Sequence, residues 1–191
     1  MAKIFTSDPH FFHKKIVEYT ERGKFTNVED HTDWLLGIIN KQVTPEDTLY
    51  ILGDFAFTSD FVQIEELISK INCLVVLIKG NHDSRKVWKR VQHHKLLACK
   101  DYEEIKMATG QTACLFHFPI HAWHKQGYGS YHLHGHTHAN YDGVGKSLDV
   151  GIDNAYKLYG EHRLFTEQDI EAYMATREVV VTDGHAVRTT A

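Results

Sequence analysis

Short β-branched and aliphatic runs punctuate the chain at 2–6 (AKIFT), 48–52 (TLYIL), 73–78 (CLVVLI), 102–107 (YEEIKM), 113–117 (ACLFH) and 147–150 (SLDV), each with the length and composition of a β-strand. Between the first two runs the spacing changes. Val28, Trp34, Leu35, Ile38 and Ile39 fall on one helical face, which predicts a helix over 28–42 with Asn27 as its cap. Phe61, Ile64, Leu67, Ile68 and Ile71 repeat that spacing before the third run. Strand, helix, strand, helix, strand in this order predicts an α/β protein. Right-handed crossovers would form a parallel or mixed sheet with functional residues at the carboxyl ends of its strands. The second half offers short strands, the Gly-rich turns QGYGS and DGVG, and one further helix from about Glu167 to Thr176 after Thr166, so a second sheet packed on the first is expected.

Composition narrows the class. With 191 residues, 42% hydrophobic and 24% charged, the chain suits one globular domain, read over 1–183, with a loose tail over 184–191. The formal net charge of −4 gives no global basic field, so sequence-independent binding of long nucleic acid is not expected. Cys73, Cys99 and Cys114 are odd in number and form no Cys-x-x-Cys, which argues against disulfides or a thiolate zinc site and fits a reducing cytoplasm. No apolar stretch reaches membrane-spanning length and the N-terminus has no signal-peptide core, so a cytoplasmic protein without a membrane partner is expected. Histidine is abundant, at 15 residues, and His93-His94 is the only consecutive pair, so a tag does not account for it.

Five stretches concentrate Asp, Asn and His where strands end: SDPHF (7–11), LGDF (52–55), KGNHD (79–83), LFHFP (115–119) and LHGHTH (133–138). Asp8 and His10 are two apart, as are His136 and His138, a spacing that directs both side chains of a strand to one side. Asp54 follows Gly53, where a carboxylate could offer one oxygen to each of two cations. Taken singly, Asp-x-His and Gly-Asp read as exposed turns and His117 as a core histidine. Five such motifs at strand ends are instead the donor inventory of a pair of divalent ions. Nitrogen and oxygen donors without thiolate suit Mn²⁺ first, and Fe²⁺, Ni²⁺, Co²⁺ or Zn²⁺, better than Ca²⁺.

The ordered series Asp-x-His, Gly-Asp, Gly-Asn-His-Asp, His and Gly-His-x-His resembles that of the calcineurin-like metallophosphoesterases, over residues 5–138. It is most similar to a small single-domain bacterial and phage group, whose further signatures stand here as His13-Lys14, PEDTLYILGDF (45–55) and HFPIHAW (117–123). The resemblance implies two packed mixed β-sheets flanked by helices, a four-layer αββα arrangement that agrees with the reading above. It also implies that Asp8, His10 and His138 hold a first metal and Asn81, His117 and His136 a second. Asp54 bridges the two, and His82 faces the substrate without binding metal. Two departures stand out: Pro9 within Asp-x-His, and Phe12 where the similar group has a glycine.

The chemistry implied is hydrolysis of a phosphate ester by metal-activated hydroxide, with Asp54 holding the ions, and His82 as proton donor kept charged by Asp83 or another carboxylate. His13, Lys14 and Asn81 are expected to touch substrate. Arg85 begins a basic stretch (84–95), read as a helix, that would be a solvated face or steer phosphate. His121 and Trp123 belong to a loop (121–132) expected to form one wall of the pocket. Asp149, Gly151 and Asp153 are expected to orient the ligand histidines from behind. Without an inserted capping segment the site should be open. That favours a phosphodiesterase on a small phosphate ester, a nucleotide or a short oligonucleotide. A phosphomonoesterase and a noncatalytic metal-binding scaffold are the alternatives.

Overall fold

The computed structural model describes residues 1–182; the tail expected over 184–191 lies outside the described residues. In the first half β1 (Lys3–Thr6), β2 (Thr48–Ile51), β3 (Leu74–Ile78) and β4 (Leu96–Lys100) lie parallel in the order β4-β3-β2-β1. In the second sheet β5 (Tyr102–Lys106) runs antiparallel to β6 (Thr112–Phe116), while β7 (Tyr131–His134) and β8 (Ser147–Asp149) continue parallel to β6. A two-residue strand, β9 (Phe165–Thr166), closes the free edge of β1 antiparallel. The expected α/β architecture of two mixed sheets is therefore present.

The helices are α1 (Ile16–Tyr19), α2 (Val28–Gln42), α3 (Phe61–Lys70), α4 (Arg85–Trp88), α5 (Ile152–Tyr159) and α6 (Glu167–Ala175). No helix among the described residues is long and apolar enough to cross a membrane. Asn27 caps α2 by accepting the Asp30 N–H at 2.8 Å, and Thr166 with Asp169 forms a capping box on α6. Leu35 and Ile39 of α2 and Ile64, Leu67 and Ile68 of α3 pack on Leu49, Ile51, Val75 and Leu77, covering one face of the first sheet. Its other face presents Phe5, Leu52 and Ile78 to Leu115, Leu133 and Leu148 of the second sheet. Each such side chain, fully buried, contributes about 1.5–3 kcal/mol, so the two layers fix the relation between the sheets.

Strand alternation turns Cys114, His132 and His134 to the outer face of the second sheet. The segment 118–130 closes that face: Trp123 lies 5.4 Å from the His132 ring, and the Ile120 N–H donates to His132 Nε2 at 3.2 Å. The ladder between β1 and β2 continues irregularly past the strand ends. Asp8 N–H donates to Gly53 O and His10 N–H to Asp54 O, both at 3.0 Å. A further bridge, Ser7 with Gly151, ties β1 to the chain just beyond β8.

Several elements differ from expectation. The helix expected over 84–95 stops at Trp88, because the following residues are pinned across α3: Gln92 N–H donates to Glu65 at 2.6 Å, and Lys95 Nζ to Ser69 O at 2.7 Å. Strands β4 and β7 and helix α5 were not anticipated. The histidines of YHLH hide the alternation of β7, and α5 buries Asp153 and Asn154 along with Ile152 and Ala155.

Close backbone approach explains Gly135. A Cβ there would stand 1.8 Å from Ser7 Oγ and 2.3 Å from Asp8 Oδ2. Gly135→Ala is expected to destabilise the fold by about 3 kcal/mol, read as a lower urea midpoint at unchanged slope.

Candidate metal centre

The carboxyl ends of β1, β2, β3, β6 and β7 meet along one edge of the two sheets. Beyond each end the chain turns sharply. Asp8 (φ 55°), His10 (φ 51°), Asp54 (φ 52°), His136 (φ 69°) and His138 (φ 45°) all adopt left-handed backbone, strain of the kind that clusters at functional sites. Phe12 does so too, at φ 62°, so the turn keeps a conformation suited to glycine despite its bulky side chain.

Two groups of side chains result, each of which could hold a metal ion: Asp8, His10 and His138, and Asp54, His117 and His136. Donor atoms within each group lie no more than 4.8 Å apart. In the first, Asp8 Oδ1 is 3.8 Å from His10 Nε2 and 3.9 Å from His138 Nε2. In the second, His117 Nε2 is 3.6 Å from Asp54 Oδ2 and 3.0 Å from Asn81 Oδ1. Donors sharing an ion at about 2.0–2.2 Å stand at such separations. Asp54 Oδ2 is also 3.7 Å from His10 Nε2, so one carboxylate oxygen lies between the groups.

The donors are prepared for a cation. Asp8 Oδ1 and both ring nitrogens of His10 are buried without a hydrogen-bond partner, an arrangement costly to keep unless a cation satisfies them. His117 Nδ1 lies 2.7 Å from Leu52 O; donation there leaves the Nε2 lone pair directed at Asp54 and Asn81. Burial pushes the His10 imidazole down to about 2, so it is neutral and able to ligate, and burial together with the nearby His117 lowers His136. Burial pushes the Asp8 carboxyl up to about 8 in the absence of a cation.

That shift makes a signed prediction. Without metal the fold prefers protonated Asp8, so ionising it costs stability progressively as pH rises from the unfolded value near 3.8 towards 8. A cation reverses this preference. The gain in Tm on adding Mn²⁺ to metal-stripped protein is therefore expected to grow between pH 5 and pH 8. The His10 contribution is common to both states and cancels. A gain independent of pH would contradict the assignment of Asp8.

A second layer holds the donors. His138 Nδ1 is 2.7 Å from Asp153 Oδ2, and buried Arg22 grips the same carboxylate through Nε to Oδ1 at 2.8 Å and Nη2 to Oδ2 at 2.7 Å. Arg22 also donates to the carbonyls of Asp8 at 2.6 Å and Pro9 at 2.8 Å, so one guanidinium fixes both ends of the first group. Burial pushes Asp153 up, but the hydrogen bonds from Arg22 and His138 outweigh it and hold the carboxyl well below its usual range. Burial lowers His138 in turn, yet Asp153 and Asp8 leave it raised. Asp149 accepts from Thr137 Oγ1 at 2.6 Å and Ala139 N–H at 3.2 Å, securing the turn that carries His136 and His138.

A shallow cleft of about 240 Å³ opens over both groups, lined by His10, His13, Asp54, Asn81, His82 and His136 among others. His13 and Asn81, expected to touch substrate, are among its lining residues. Other expectations need correction. Asp83 does not serve His82. Its carboxylate accepts the N–H groups of Asp54 at 2.8 Å, Phe55 at 3.1 Å and Gly80 at 2.8 Å, and burial pushes it up to about 6. The carboxylate beside His82 is Asp54, with Oδ2 at 3.9 Å from Nε2. Arg85 pairs with Asp101 at 3.1 Å and, like exposed Lys14 and His121, is absent from the lining. Trp123 is buried and donates to Ser130 O at 3.1 Å, so the 121–132 loop covers the second sheet and forms no wall of this cleft. Arg22 was missed, because a lone arginine in ERGKF reads as a loop cation.

No family model matches the chain. It is 31% identical over 143 residues to an uncharacterized protein of Methanocaldococcus jannaschii, MJ1445, spanning 74% of this chain and 72% of that one. It is 32% identical over 161 residues to the gene 66 protein of Mycobacterium phage L5, spanning 71% and 76% respectively. The chain belongs to the family of these two proteins. A solved structure, that of the protein of unknown function AQ665 from Aquifex aeolicus, shares the fold at a TM-score of 0.67 and 22% identity. The match covers 90% of this chain and 98% of that one.

Proposed function

We propose that the protein is a dinuclear metal-dependent phosphoesterase and, within that class, a phosphodiesterase acting on a nucleotide-type substrate. One observation carries this reading: Asp54 Oδ2 stands 3.7 Å from His10 Nε2 and 3.6 Å from His117 Nε2, common to both groups. The resemblance of the motif series to the calcineurin-like metallophosphoesterases supports it. A pair of divalent ions, Mn²⁺ first among those the donors suit, would supply Lewis-acid polarisation of the phosphoryl group and an acidified water as nucleophile.

The remaining work falls to side chains around the cleft. His82 is half-exposed above Asp54, where it can hold a proton for the departing oxygen. His13, its ring 4.5 Å from Phe57, stands beside His10 at the mouth and can contact a phosphate oxygen. An open, shallow cleft fits a diester that extends to both sides. His82→Ala is expected to lower kcat by about 10²–10⁴-fold while leaving ion stoichiometry unchanged.

The reading is tested by reloading metal-stripped protein with Mn²⁺, Ni²⁺ or Zn²⁺ and measuring hydrolysis of bis(p-nitrophenyl) phosphate and p-nitrophenyl phosphate. Metal-dependent turnover that favours the diester and is lost in Asp54→Asn is the expected result. Preference for the monoester would make the protein a phosphomonoesterase. Two bound ions with no turnover of either ester would overturn the enzyme reading in favour of a scaffold.

A further inference from the structure

A larger cavity adjoins the cleft, about 500 Å³ against about 240 Å³, and the chemistry proposed above leaves it unused. It lies between the chain around α1, the turn at 138–140 and α5, and it shares His138 and Tyr19 with the cleft. One wall is a preassembled aromatic stack. Tyr156 lies over His162 with centroids 4.4 Å apart and planes 12° apart, and His162 meets Trp34 edge-on at 5.0 Å. Tyr19, 70% exposed, stands at the junction of the two cavities.

The polar lining discriminates between ligands. Glu18, Glu21 and Asn140 offer acceptors. Asp153 is already paired with Arg22 and engaged by His138 Nδ1. Lys157 donates to Ala139 O at 2.9 Å and pairs with Asp142 at 3.0 Å. Among the described lining residues, then, no lysine or arginine is left free to meet a second phosphate. A neutral aromatic group that carries N–H and O–H donors suits this cavity, whose volume falls in the range of small-molecule sites.

We infer that this cavity binds the nucleoside attached to the scissile phosphate, so that the substrate is a nucleoside phosphodiester rather than a nucleoside polyphosphate. The inference rests on the phosphoesterase reading and adds to it the place in the fold where the nucleoside is held. The base packs against both Tyr19 and Tyr156, while base and sugar donors bond to Glu18, Glu21 and Asn140.

The test compares two diesters with the same leaving group, methyl p-nitrophenyl phosphate and thymidine 5′-(p-nitrophenyl phosphate). Manganese-loaded protein is expected to prefer the thymidine ester in kcat/KM by about tenfold or more, as for base–aromatic stacking. Tyr19→Ala and Tyr156→Ala should each reduce that ratio severalfold, and Tyr156→Phe should restore it. Tyr128→Ala, on a side chain 85% exposed and outside both cavities, should not change it. Because Tyr19 is exposed, its variant reports even if Tyr156→Ala folds poorly. Binding of adenosine to metal-free protein, followed by ligand-observed NMR, is a second readout that the tyrosine variants should abolish.

The outcomes separate the two claims. Equal turnover of both esters, unaltered by the variants, would overturn the cavity inference and leave the phosphoesterase reading intact. If neither ester is hydrolysed by protein holding two ions, the phosphoesterase reading fails, and adenosine binding then decides for or against the nucleoside site.

Discussion

Asp54→Asn is expected to lower the kcat for bis(p-nitrophenyl) phosphate by about 10³-fold or more and to reduce bound divalent ions from two to one. The side chain has two separate tasks. Asp54 Oδ1 accepts the His82 N–H at 2.8 Å, and Oδ2 lies between His10 and His117. Asparagine keeps an acceptor for His82 but loses the charge that would let one oxygen serve two cations. The loop should therefore survive while the shared position fails. Metal analysis of purified Asp54→Asn beside its kinetics checks both halves of the expectation. Retention of two ions and near-normal turnover would remove Asp54 from the centre.

Arg22→Ala should have the largest effect on stability. The guanidinium makes four hydrogen bonds in a buried setting, two to Asp153 and one each to the carbonyls of Asp8 and Pro9. Its removal leaves the Asp153 charge with only His138 to balance it. Breaking a buried pair in this way costs about 3–5 kcal/mol. In a chain of this size that corresponds to a fall in Tm of about 10 °C. The effect should also reach the metal, since His138 loses its fixed carboxylate and the backbone of Asp8 loses its clamp. Affinity is expected to fall by about 10–100-fold. Arg22→Lys should lie between, because an ammonium keeps the charge but cannot reproduce the fork. Thermal melts with and without Mn²⁺, and competitive metal titration, measure the two effects. A Tm within 2 °C of the parent and unchanged affinity would contradict the role given to Arg22.

The two Asp/His groups that could each hold an ion were legible in the sequence because each of these residues sits within a few positions of an aliphatic strand, and parallel crossovers must bring such ends to one edge. Asn27 and Thr166 announced their helices through local capping chemistry that no distant contact alters. Arg22 was not legible, since its partner Asp153 is 131 residues away and nothing near Arg22 marks it as buried. Asp83 misled for a related reason. Adjacent residues do not share a direction, and while His82 faces the cleft, Asp83 turns inward to hold the backbone of Asp54 and Phe55. Trp123 sits among glycines and histidines that read as a pocket loop, yet its ring packs on His132 because the second sheet needs cover on its outer face. The missing α5 follows the same logic, since its buried Asp153 and Asn154 carry polar side chains where a pattern of apolar positions would be sought.

The central claim is that two ions share Asp54. Titrating metal-stripped protein with Mn²⁺ while recording the electron paramagnetic resonance spectrum tests it directly. Two equivalents bound, with the spectrum of an exchange-coupled pair that collapses to a single uncoupled ion in Asp54→Asn, is the predicted result. Binding of one equivalent, or of two that remain magnetically independent, would contradict a shared carboxylate between the groups.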